Sequence, residues 1–438
     1  MNLPQAFIER TRQLLGEDIY PLFEEALANE VPVSIRPNRT KCQLPVEGEP
    51  IPWATSGLYL KSRPTFTFDP LFHAGCYYVQ EASSMFVERV LREYVHEPVV
   101  MLDLCAAPGG KSTLCRSALP EGSLLVANEV MRNRSQVLAE NLIKWGHPEV
   151  VVTNNDPADF TELTHLFDVI LTDVPCSGEG MFRKDEQALM QWSEDNVALC
   201  EARQRRILAD VWPSLREGGM LIYSTCTFNR KENDGNVEWI AEELGADIIT
   251  SEDVLGGMPG VLKTERGYSL VPGHVEGEGQ YCAALRKLSG VTFSDRPVRS
   301  KKPQRPQKQN PIPQGLQKLL NVPVSFRTKG DMITAVPENI AADVAGVEDV
   351  LHVVAAGCAV GVLKGKDLVP DADLSLSLML SADAYPCVDV DRQTALAYLH
   401  RDAVTFPDAP KGYLLVRYDG LALGFVKNLG NRCNSLHP

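Results

Sequence analysis

The sequence has no long apolar run and no recognisable export signal. No stretch reaches about 18 consecutive apolar residues, the length that a membrane-spanning helix needs. The first residues, MNLPQAFIERTRQLLG, mix acids and bases into an apolar pattern and lack the positive start and apolar centre of a signal peptide. We therefore expect a cytoplasmic protein, with no membrane among its partners.

The 438-residue chain also lacks the spacing of a metal site or of a disulfide framework. Its eleven cysteines are scattered without any CxxC pair, and its eight histidines show no HxxxH spacing. An odd, dispersed set of cysteines in a long chain without an export signal indicates reduced thiols. A structural zinc site needs closely spaced Cys and His ligands, so the sequence predicts no metal.

A further deficit is positive charge, because 57 acidic and 43 basic side chains give a formal net charge of −14 at pH 7. A protein that bound nucleic acid through its whole surface would be basic, so a polyanion must be bound here by local basic patches. One candidate is segment 295–313, DRPVRSKKPQRPQKQNPIP, which holds six basic side chains and one acid. A solvated, Pro-rich linker explains the same composition equally well.

From residue 99 onward, apolar runs alternate regularly with helical patterns. The runs are continuously apolar, which indicates strands buried on both faces. Strands that alternate with helices predict βαβ units and a doubly wound, mostly parallel α/β sheet. The predicted strands lie at 99–104, 123–130, 149–155, 167–174, 218–227 and 279–288, and the predicted helices at 111–119, 132–145, 194–213 and 231–244.

The composition divides the chain into four parts. Residues 1–95 mix short helical and strand-like patterns, and residues 96–290 carry the alternating pattern. Residues 291–313 form the basic linker, and residues 314–438 have short strand-like runs separated by Gly, Asp and Pro. We expect an N-terminal α+β region, a central α/β domain and a small C-terminal α+β domain.

The first predicted strand runs into DLCAAPGGKST at 103–113. Two glycines and a proline turn the chain into a helix, whose free N–H groups suit an anionic ligand group. The stretch is not a phosphate-binding P-loop, because Cys105 occupies a position that requires glycine, and it is not a GxGxxG dinucleotide motif. A purely structural turn is the alternative interpretation.

The second and third predicted strands end in acids. Glu129 ends the second strand, where a carboxylate accepts hydrogen bonds from the two ribose hydroxyls of a nucleoside cofactor. Asp156 follows the third strand in the stretch NNDPADF. It either accepts a hydrogen bond from an adenine amine or caps the next helix.

The fourth and fifth strands bring two thiols to the same edge of the sheet. Asp173 and Cys176 lie in LTDVPCSGEG, and Cys226 lies in YSTCTFNRKEN. A single free cysteine is most often a small buried hydrophobe, but two at neighbouring strand ends suggest chemistry. A thiolate that adds to C6 of a pyrimidine makes C5 nucleophilic enough to take a methyl group from a sulfonium donor, after which a base removes the C5 proton. These residues alone leave open which thiol attacks.

Several motifs between residues 100 and 240 resemble those of the RNA 5-methylcytosine methyltransferases of the NOL1/NOP2/Sun family. They are DLCAAPGGKST, ANEV, DVPCSGEGMFRKD, WSEDNVALCEARQRRIL and YSTCTFNRKENDGNV. RPNRTK and GCYYVQEASSM resemble the N-terminal region of that family, with Pro37 where a small apolar residue is usual. GEGMFRKD and the C-terminal PKGYLLVRYDGLALGFVKNLGNRCNSLHP resemble the bacterial small-subunit ribosomal RNA methyltransferase F group.

The resemblance implies a seven-stranded, Rossmann-like methyltransferase sheet with S-adenosyl-L-methionine as cofactor. It also implies that residues 1–95 form an RNA-binding region and residues 314–438 a PUA-like RNA-binding domain. It implies that Cys226 attacks cytosine, that Cys176 assists product release, and that Asp173 is the fourth-strand acid beside them. The implied partner is RNA, most specifically small-subunit ribosomal RNA, and we expect a monomer. The implied cofactor-binding residues are Cys105, Ala106, Ala107, Pro108, Gly109, Gly110, Lys111, Glu129, Asp156 and Asp173.

Other interpretations remain at this stage. Arg183 and Lys184 are candidates for phosphate contact or are part of a solvated loop, and the aromatic residues around 66–78 either stack on unpaired bases or form core. One rival function is methylation of an amine or hydroxyl, which needs no thiol pair. Others are the same cytosine chemistry on tRNA or another RNA, and RNA binding in ribosome assembly with a vestigial site.

Overall fold

The computed structural model describes residues 3–43, 47–289, 312–313, 315–365 and 367–437. The basic linker predicted at 291–313 lies outside the described residues except for 312–313. The N-terminal region contains α1 (Gln5–Ala28), β1 (Val33–Pro37), β2 (Glu49–Pro50), β3 (Leu58–Leu60), α2 (Pro70–His73), β4 (Tyr77–Val79) and α3 (Val87–Tyr94). 

The central region alternates strands and helices, as its apolar pattern predicts. Its elements are β5 (Val100–Asp103), α4 (Gly110–Ala118), β6 (Leu124–Asn128), α5 (Arg132–Trp145), β7 (Val150–Thr153), β8 (Phe167–Asp173), α6 (Glu186–Gln191), α7 (Glu194–Val211), β9 (Leu215–Thr225), α8 (Asp234–Glu243), β10 (Ala246–Ile248), α9 (Glu252–Leu255), β11 (Val261–Lys263), β12 (Tyr268–Leu270) and β13 (Gln280–Lys287).

The C-terminal region is mixed α+β, with many short strands. Its elements are β14 (Val324–Lys329), β15 (Met332–Pro337), α10 (Ala341–Val350), β16 (Val353–Ala356), β17 (Cys358–Lys364), β18 (Asp367–Pro370), α11 (Ala372–Leu376), β19 (Cys387–Asp389), α12 (Arg392–Leu399), β20 (Gly412–Tyr418), β21 (Leu421–Asn428) and β22 (Cys433–Ser435).

One large mixed sheet forms the centre of the molecule. Strands β7, β6, β5, β8 and β9 lie side by side and are parallel, and β13 is antiparallel to β9. Adding β10, which pairs with β13, gives seven strands in this part, as expected for the methyltransferase sheet. Because β5 has β6 on one side and β8 on the other, its carboxyl end is the switch point where ligands bind.

The sheet is larger than the seven strands that the family resemblance implies. Strands β11 and β12 extend it beyond β13, and β16 from the C-terminal region pairs antiparallel with β7 at the opposite edge. Helix α10 belongs to the core on one face of the same sheet. The C-terminal region is therefore joined to the central region by strand pairing as well as by packing.

Apolar side chains cover both faces of the sheet. One core packs α3, α4 and α5 against one face, and the other packs α7, α8 and α10 against the opposite face. All residues of β6 and β7 are buried, which explains why these runs are continuously apolar in the sequence. Each buried Leu, Val or Ile stabilises the fold by about 1.5–3 kcal/mol relative to an exposed one.

The N-terminal and C-terminal regions share a core of their own. Side chains of β1, β3, α2 and β4 pack against side chains of α12, β20 and β21 in a single cluster. Arg392 also donates a hydrogen bond of 2.9 Å to the carbonyl of Phe68 across this contact. The two regions that the resemblance assigns to RNA binding therefore adjoin.

No helix in the described part of the chain is long and apolar enough to span a membrane.

Candidate active site

The turn after β5 is built to hold its backbone in one shape. Gly109 precedes α4 with a positive φ of 113°, in the left-handed region that favours glycine. Tyr78 and Asn141 both donate to the carbonyl of Pro108, at 3.4 and 2.8 Å, and Arg134 donates to the carbonyl of Ala107 at 2.9 Å. These carbonyls already accept hydrogen bonds from protein side chains. The N–H groups at the start of α4 are therefore the backbone groups of this turn that suit a ligand.

Two acids flank this turn. Asp103 is fully buried, and its Oδ2 accepts a hydrogen bond of 2.7 Å from Ser112, while its Oδ1 has no hydrogen-bond partner among the described residues. Burial raises the pKa of Asp103 to about 7. Glu129 is almost fully buried after β6, accepts from the N–H of Met131 at 2.8 Å and faces Arg134 at 3.2 Å. The sequence predicted Glu129 as a site residue but did not predict Asp103. The free oxygen of Asp103 indicates that this acid also belongs to the site.

Asp156 follows β7 at the same edge of the sheet. Its side chain accepts from the N–H of Ala158 at 3.1 Å, and Asp159 accepts from the N–H of Asp156 at 3.2 Å. These bonds form a capping box on the 3-10 helix Pro157–Glu162. Asp156 thus has the capping role that the sequence allowed, and its exposed carboxylate keeps capacity for a further donor.

Lys111 and Asp173 form an ion pair across the turn, with Nζ and Oδ2 2.9 Å apart. Burial has the largest single effect and lowers the pKa of Lys111, but the charge of Asp173 and the hydrogen bond to it, together with smaller effects of other nearby groups, outweigh burial. The net pKa is therefore raised, and the lysine stays charged. Ser224 donates to the other oxygen of Asp173 at 3.1 Å. The sequence predicted Lys111 only as part of the cofactor turn, whereas its amine reaches the acid of the fourth strand.

Cys176 and Cys226 meet at this edge, with their Sγ atoms 3.2 Å apart. Cys176 follows β8 and Cys226 follows β9, and these strands are parallel neighbours. The hydrogen bond to Cys226 and burial together raise the pKa of Cys176 well above its ordinary value. The raised pKa favours the protonated thiol form of Cys176, and either sulfur can donate in the contact between them.

Hydrogen bonds at several positions join the two loops that carry the thiols. The N–H of Gly180 donates to the carbonyl of Cys226 at 2.8 Å, and the hydroxyls of Ser177 and Thr227 lie 2.9 Å apart. Glu232 accepts from the N–H of Ser177 at 3.0 Å. The backbone around each cysteine is therefore fixed relative to the other.

Glu179, from the GEGMFRKD stretch, is the centre of a buried network beside this loop pair. Its carboxylate accepts from the N–H of Phe228 at 2.9 Å and from the indole of Trp192 at 2.9 Å. Arg10 of α1 completes the network as its ion-pair partner. Helix α1 is thereby attached to the loop that follows Cys226, and Phe23 stacks edge-on against Phe228 with ring centroids 5.2 Å apart.

The structure does not leave Arg183 available to a phosphate. Its side chain is buried, pairs with Glu278 at 2.7 Å and donates to the carbonyls of Ala26 at 2.8 Å and Gly277 at 2.6 Å. Such an arginine fixes the loop, so neither the phosphate contact nor the solvated loop that the sequence suggested describes Arg183. Lys184 is exposed, and its role as a phosphate contact stays a prediction.

Two further residues lie at the site without any signal in the sequence. Gln280, at the start of β13, donates to Oδ1 of Asp173 at 3.4 Å and to the carbonyl of Thr225 at 2.8 Å. Glu81 of the N-terminal region accepts from the N–H of Glu278 at 2.9 Å, and its charge acts on Lys111. Both depend on contacts between residues far apart in the chain, which local patterns cannot reveal.

Three family models match this chain. The model described as 16S rRNA methyltransferase RsmB/F matches residues 91–286, which include the turn, both acids and both thiols. The N-terminal domain of 16S rRNA methyltransferase RsmF matches residues 3–82, and the RsmF PUA domain matches residues 385–438. A curated relative from Shewanella loihica, named ribosomal RNA small subunit methyltransferase F, is 31% identical over 419 residues, with 89% of this chain and 83% of the relative covered.

The chain belongs to the ribosomal RNA small subunit methyltransferase F family.

Other members of that family match over different lengths. The relative from Aliivibrio fischeri is 30% identical over 89% of this chain and 85% of its own length. The match to the relative from Pectobacterium atrosepticum, at 32% identity, covers 68% of this chain and 65% of that relative. The PUA model begins at residue 385, well after the boundary at 314 that composition suggests for the C-terminal domain.

Solved structures of other proteins share the fold of this member of the methyltransferase F family. A methyltransferase homologue from Pyrococcus horikoshii is 26% identical, with a TM-score of 0.55 over 65% of this chain and 95% of its own. The NSun6 protein of Pyrococcus horikoshii, at 20% identity and a TM-score of 0.51, shares the fold over 65% of this chain and 98% of its own.

Proposed function

We propose that this protein methylates C5 of cytosine in RNA, most specifically in small-subunit ribosomal RNA, through a covalent adduct between Cys226 and C6 of the base. The observation that carries the proposal is the pair of thiols at neighbouring strand ends, 3.2 Å apart, in a methyltransferase sheet. Methylation of an amine or hydroxyl needs no thiol pair. The names of the curated relatives agree with the RNA part of the proposal.

The residues of the turn suit S-adenosyl-L-methionine. The free, buried Oδ1 of Asp103 suits a cationic amino group, and the carboxylate of Glu129 suits the paired hydroxyls of a ribose. The turn from Cys105 to Lys111 would hold the rest of the cofactor, and Asp156 would lie on the adenine side. When bound, the cofactor supplies the electrophilic methyl group of a sulfonium.

The thiols divide the chemistry between them. The sulfur of Cys226 forms a bond to C6, and the ring electrons then move to C5, which gains the methyl group. Loss of the C5 proton to a base lets the C6–S bond break and restores the aromatic ring. Because Cys176 keeps its own proton beside Cys226, we assign it to the release of Cys226 rather than to the attack.

Asp173 provides the third group of this scheme. Attack at C6 places negative charge on the ring, and a proton delivered to N3 neutralises it. Asp173 serves this step in its protonated form, because the carboxylate itself only accepts hydrogen bonds. Lys111 and Ser224 fix both oxygens of Asp173, so this acid is held in one orientation beside the thiols. The target base must leave its RNA stack to reach this cleft.

Two matched variants test the scheme. We expect Cys226→Ala to abolish methyl transfer to RNA while cofactor binding is retained. We expect Cys176→Ala to accumulate a covalent protein–RNA adduct, visible as a shifted band that survives denaturant. Full activity of Cys226→Ala would refute the proposal, and an adduct that forms only with Cys226→Ala would reverse the two roles.

A further inference from the structure

A second polar and aromatic pocket lies outside the candidate active site. It is formed between the N-terminal region and the second half of α5 and has a volume of about 150 Å³, open on one side. An apolar cavity of about that volume holds one benzene ring, so one nucleobase ring is of the right size. The side chains that define it are Phe72, Tyr77, Tyr78, Asn141, Lys144 and Trp145.

The pocket offers aromatic faces together with uncompensated positive charge. Nζ of Lys144 lies 4.8 Å from the ring centroid of Phe72 and forms no ion pair among the described residues, although the charge of Glu140 acts on it. Lys41 lies beside it, because its amine donates to the carbonyls of Lys144 at 2.9 Å and Leu376 at 2.7 Å. Burial lowers the pKa of Lys41 to about 7, so Lys144 is the main positive charge of the pocket, and it has no carboxylate partner in the described part of the chain. A cation of this kind attracts an anion.

This local charge matters because the chain as a whole carries −14. Several arginines near the candidate active site are already paired, among them Arg10 with Glu179 and Arg183 with Glu278. A polyanionic substrate must therefore find its positive contacts elsewhere on the surface. Lys144 offers such a contact, with aromatic rings next to it.

The pocket is also connected to the cofactor turn. Tyr78 and Asn141, which line the pocket, both donate to the carbonyl of Pro108, at 3.4 and 2.8 Å. The ring of Tyr78 also reaches Gly110, since a Cβ built on that glycine would lie 3.5 Å from it. An occupant of the pocket would thus contact the same side chains that fix the turn.

We propose that this pocket binds one unpaired nucleotide of the substrate RNA, separate from the target cytosine, with its base against Phe72 and Tyr78 and its phosphate at Lys144. Base stacking on aromatic rings combined with a lysine–phosphate contact is the usual way in which proteins hold single-stranded RNA. The proposal rests on the proposed RNA substrate. It adds a second anchoring point on the strand, beside the cofactor turn.

The test compares Lys144→Gln and Phe72→Leu with the control Lys318→Gln, which removes the same charge from an exposed lysine outside the pocket. We expect each pocket variant to raise KM for a small-subunit ribosomal RNA fragment about tenfold while kcat and cofactor affinity stay within about twofold. Lys144→Gln should also lower the salt dependence of RNA binding by about one counterion. The control should match wild type.

A cross-linking measurement separates this proposal from the proposed function. A single-stranded oligoribonucleotide of about 12 nucleotides that carries 4-thiouridine should cross-link to residues 72–78 or 141–145. If wild type methylates RNA but both pocket variants keep a wild-type KM and no cross-link maps there, the pocket proposal is refuted and the function stands. If wild type methylates no RNA, the proposed function fails, while a cross-link abolished by Lys144→Gln would still support the pocket.

Discussion

Gly180 is the residue whose substitution most directly tests how the two thiol loops are aligned. Its N–H donates to the carbonyl of Cys226 at 2.8 Å, and its backbone lies outside the left-handed region. A Cβ built on it would lie 2.8 Å from that carbonyl oxygen and 3.0 Å from the carbonyl oxygen of Glu278. The methyl group of Gly180→Ala would therefore clash with these two carbonyls, whereas the backbone conformation would allow it.

The size of the effect follows from these distances. An ordinary carbon–oxygen contact is about 3.3–3.6 Å, so the carbonyl of Cys226 must move by roughly 0.5 Å or more. Overpacking of this kind costs about 1–3 kcal/mol of stability. A nucleophile misplaced by about 1 Å loses about 10²-fold in rate, so we expect a decrease of about 10–100-fold.

The assay is single-turnover adduct formation with an RNA fragment, measured beside cofactor affinity and melting temperature. Because Gly180 is not in the cofactor turn, we expect cofactor affinity within about twofold of wild type. Gly346→Ala in α10 is the matched control, since no described atom beyond its own stretch of helix lies within 4 Å of its Cβ position. It should gain about 0.5–1 kcal/mol from helix propensity and keep full activity. An unchanged adduct rate in Gly180→Ala would refute the idea that this loop contact positions Cys226.

Two further predictions concern buried carboxylates. Burial raises the pKa of Asp103 to about 7. The folded protein therefore keeps a proton on Asp103 at pH values where the unfolded chain has released it. Its contribution to stability is therefore present below about pH 4 and is lost as the pH rises to 7. Asp103→Asn in cofactor-free protein should gain melting temperature relative to wild type over that range, and a difference that does not vary with pH would contradict this. Glu179→Gln should cost about 3–5 kcal/mol, because Arg10 loses its buried partner. If Arg10→Leu/Glu179→Gln is no more stable than the sum of both single variants predicts, the two residues are not coupled.

Much of the central fold follows from local pattern in the sequence. Strands such as β6 and β7 are buried on both faces, so their apolar runs are unbroken and their ends are easy to locate. Once strands and helices alternate, topology alone brings Asp173, Cys176 and Cys226 to one edge. Local pattern could not assign the attacking thiol, because both thiols lie at strand ends of the same kind.

The parts that sequence reasoning missed all depend on contacts between distant residues. Strand β16 joins the central sheet through pairing with β7, some 200 residues earlier in the chain, and nothing in its short apolar run indicates that partner. The sequence around Arg183 is the same whether its side chain contacts phosphate or is buried against Glu278, so local pattern could not distinguish the two. Gln280 reaches Asp173 only because β13 inserts antiparallel beside β9.

The N-terminal region belongs to the candidate active site as much as to RNA binding. Arg36 is buried, donates to Thr113 at 2.6 Å and to Gln80 at 2.9 Å, and lies 4.3 Å from the ring centroid of Trp145, so it attaches β1 to the helix that follows the cofactor turn. Arg10 attaches α1 to the loop after Cys226. Since both the cofactor turn and the thiol loop are held from this region, the central sheet without it would keep the residues of the site but lose their alignment. RNA bound across the N-terminal region, as we propose, would therefore contact the elements that set the geometry of the thiols.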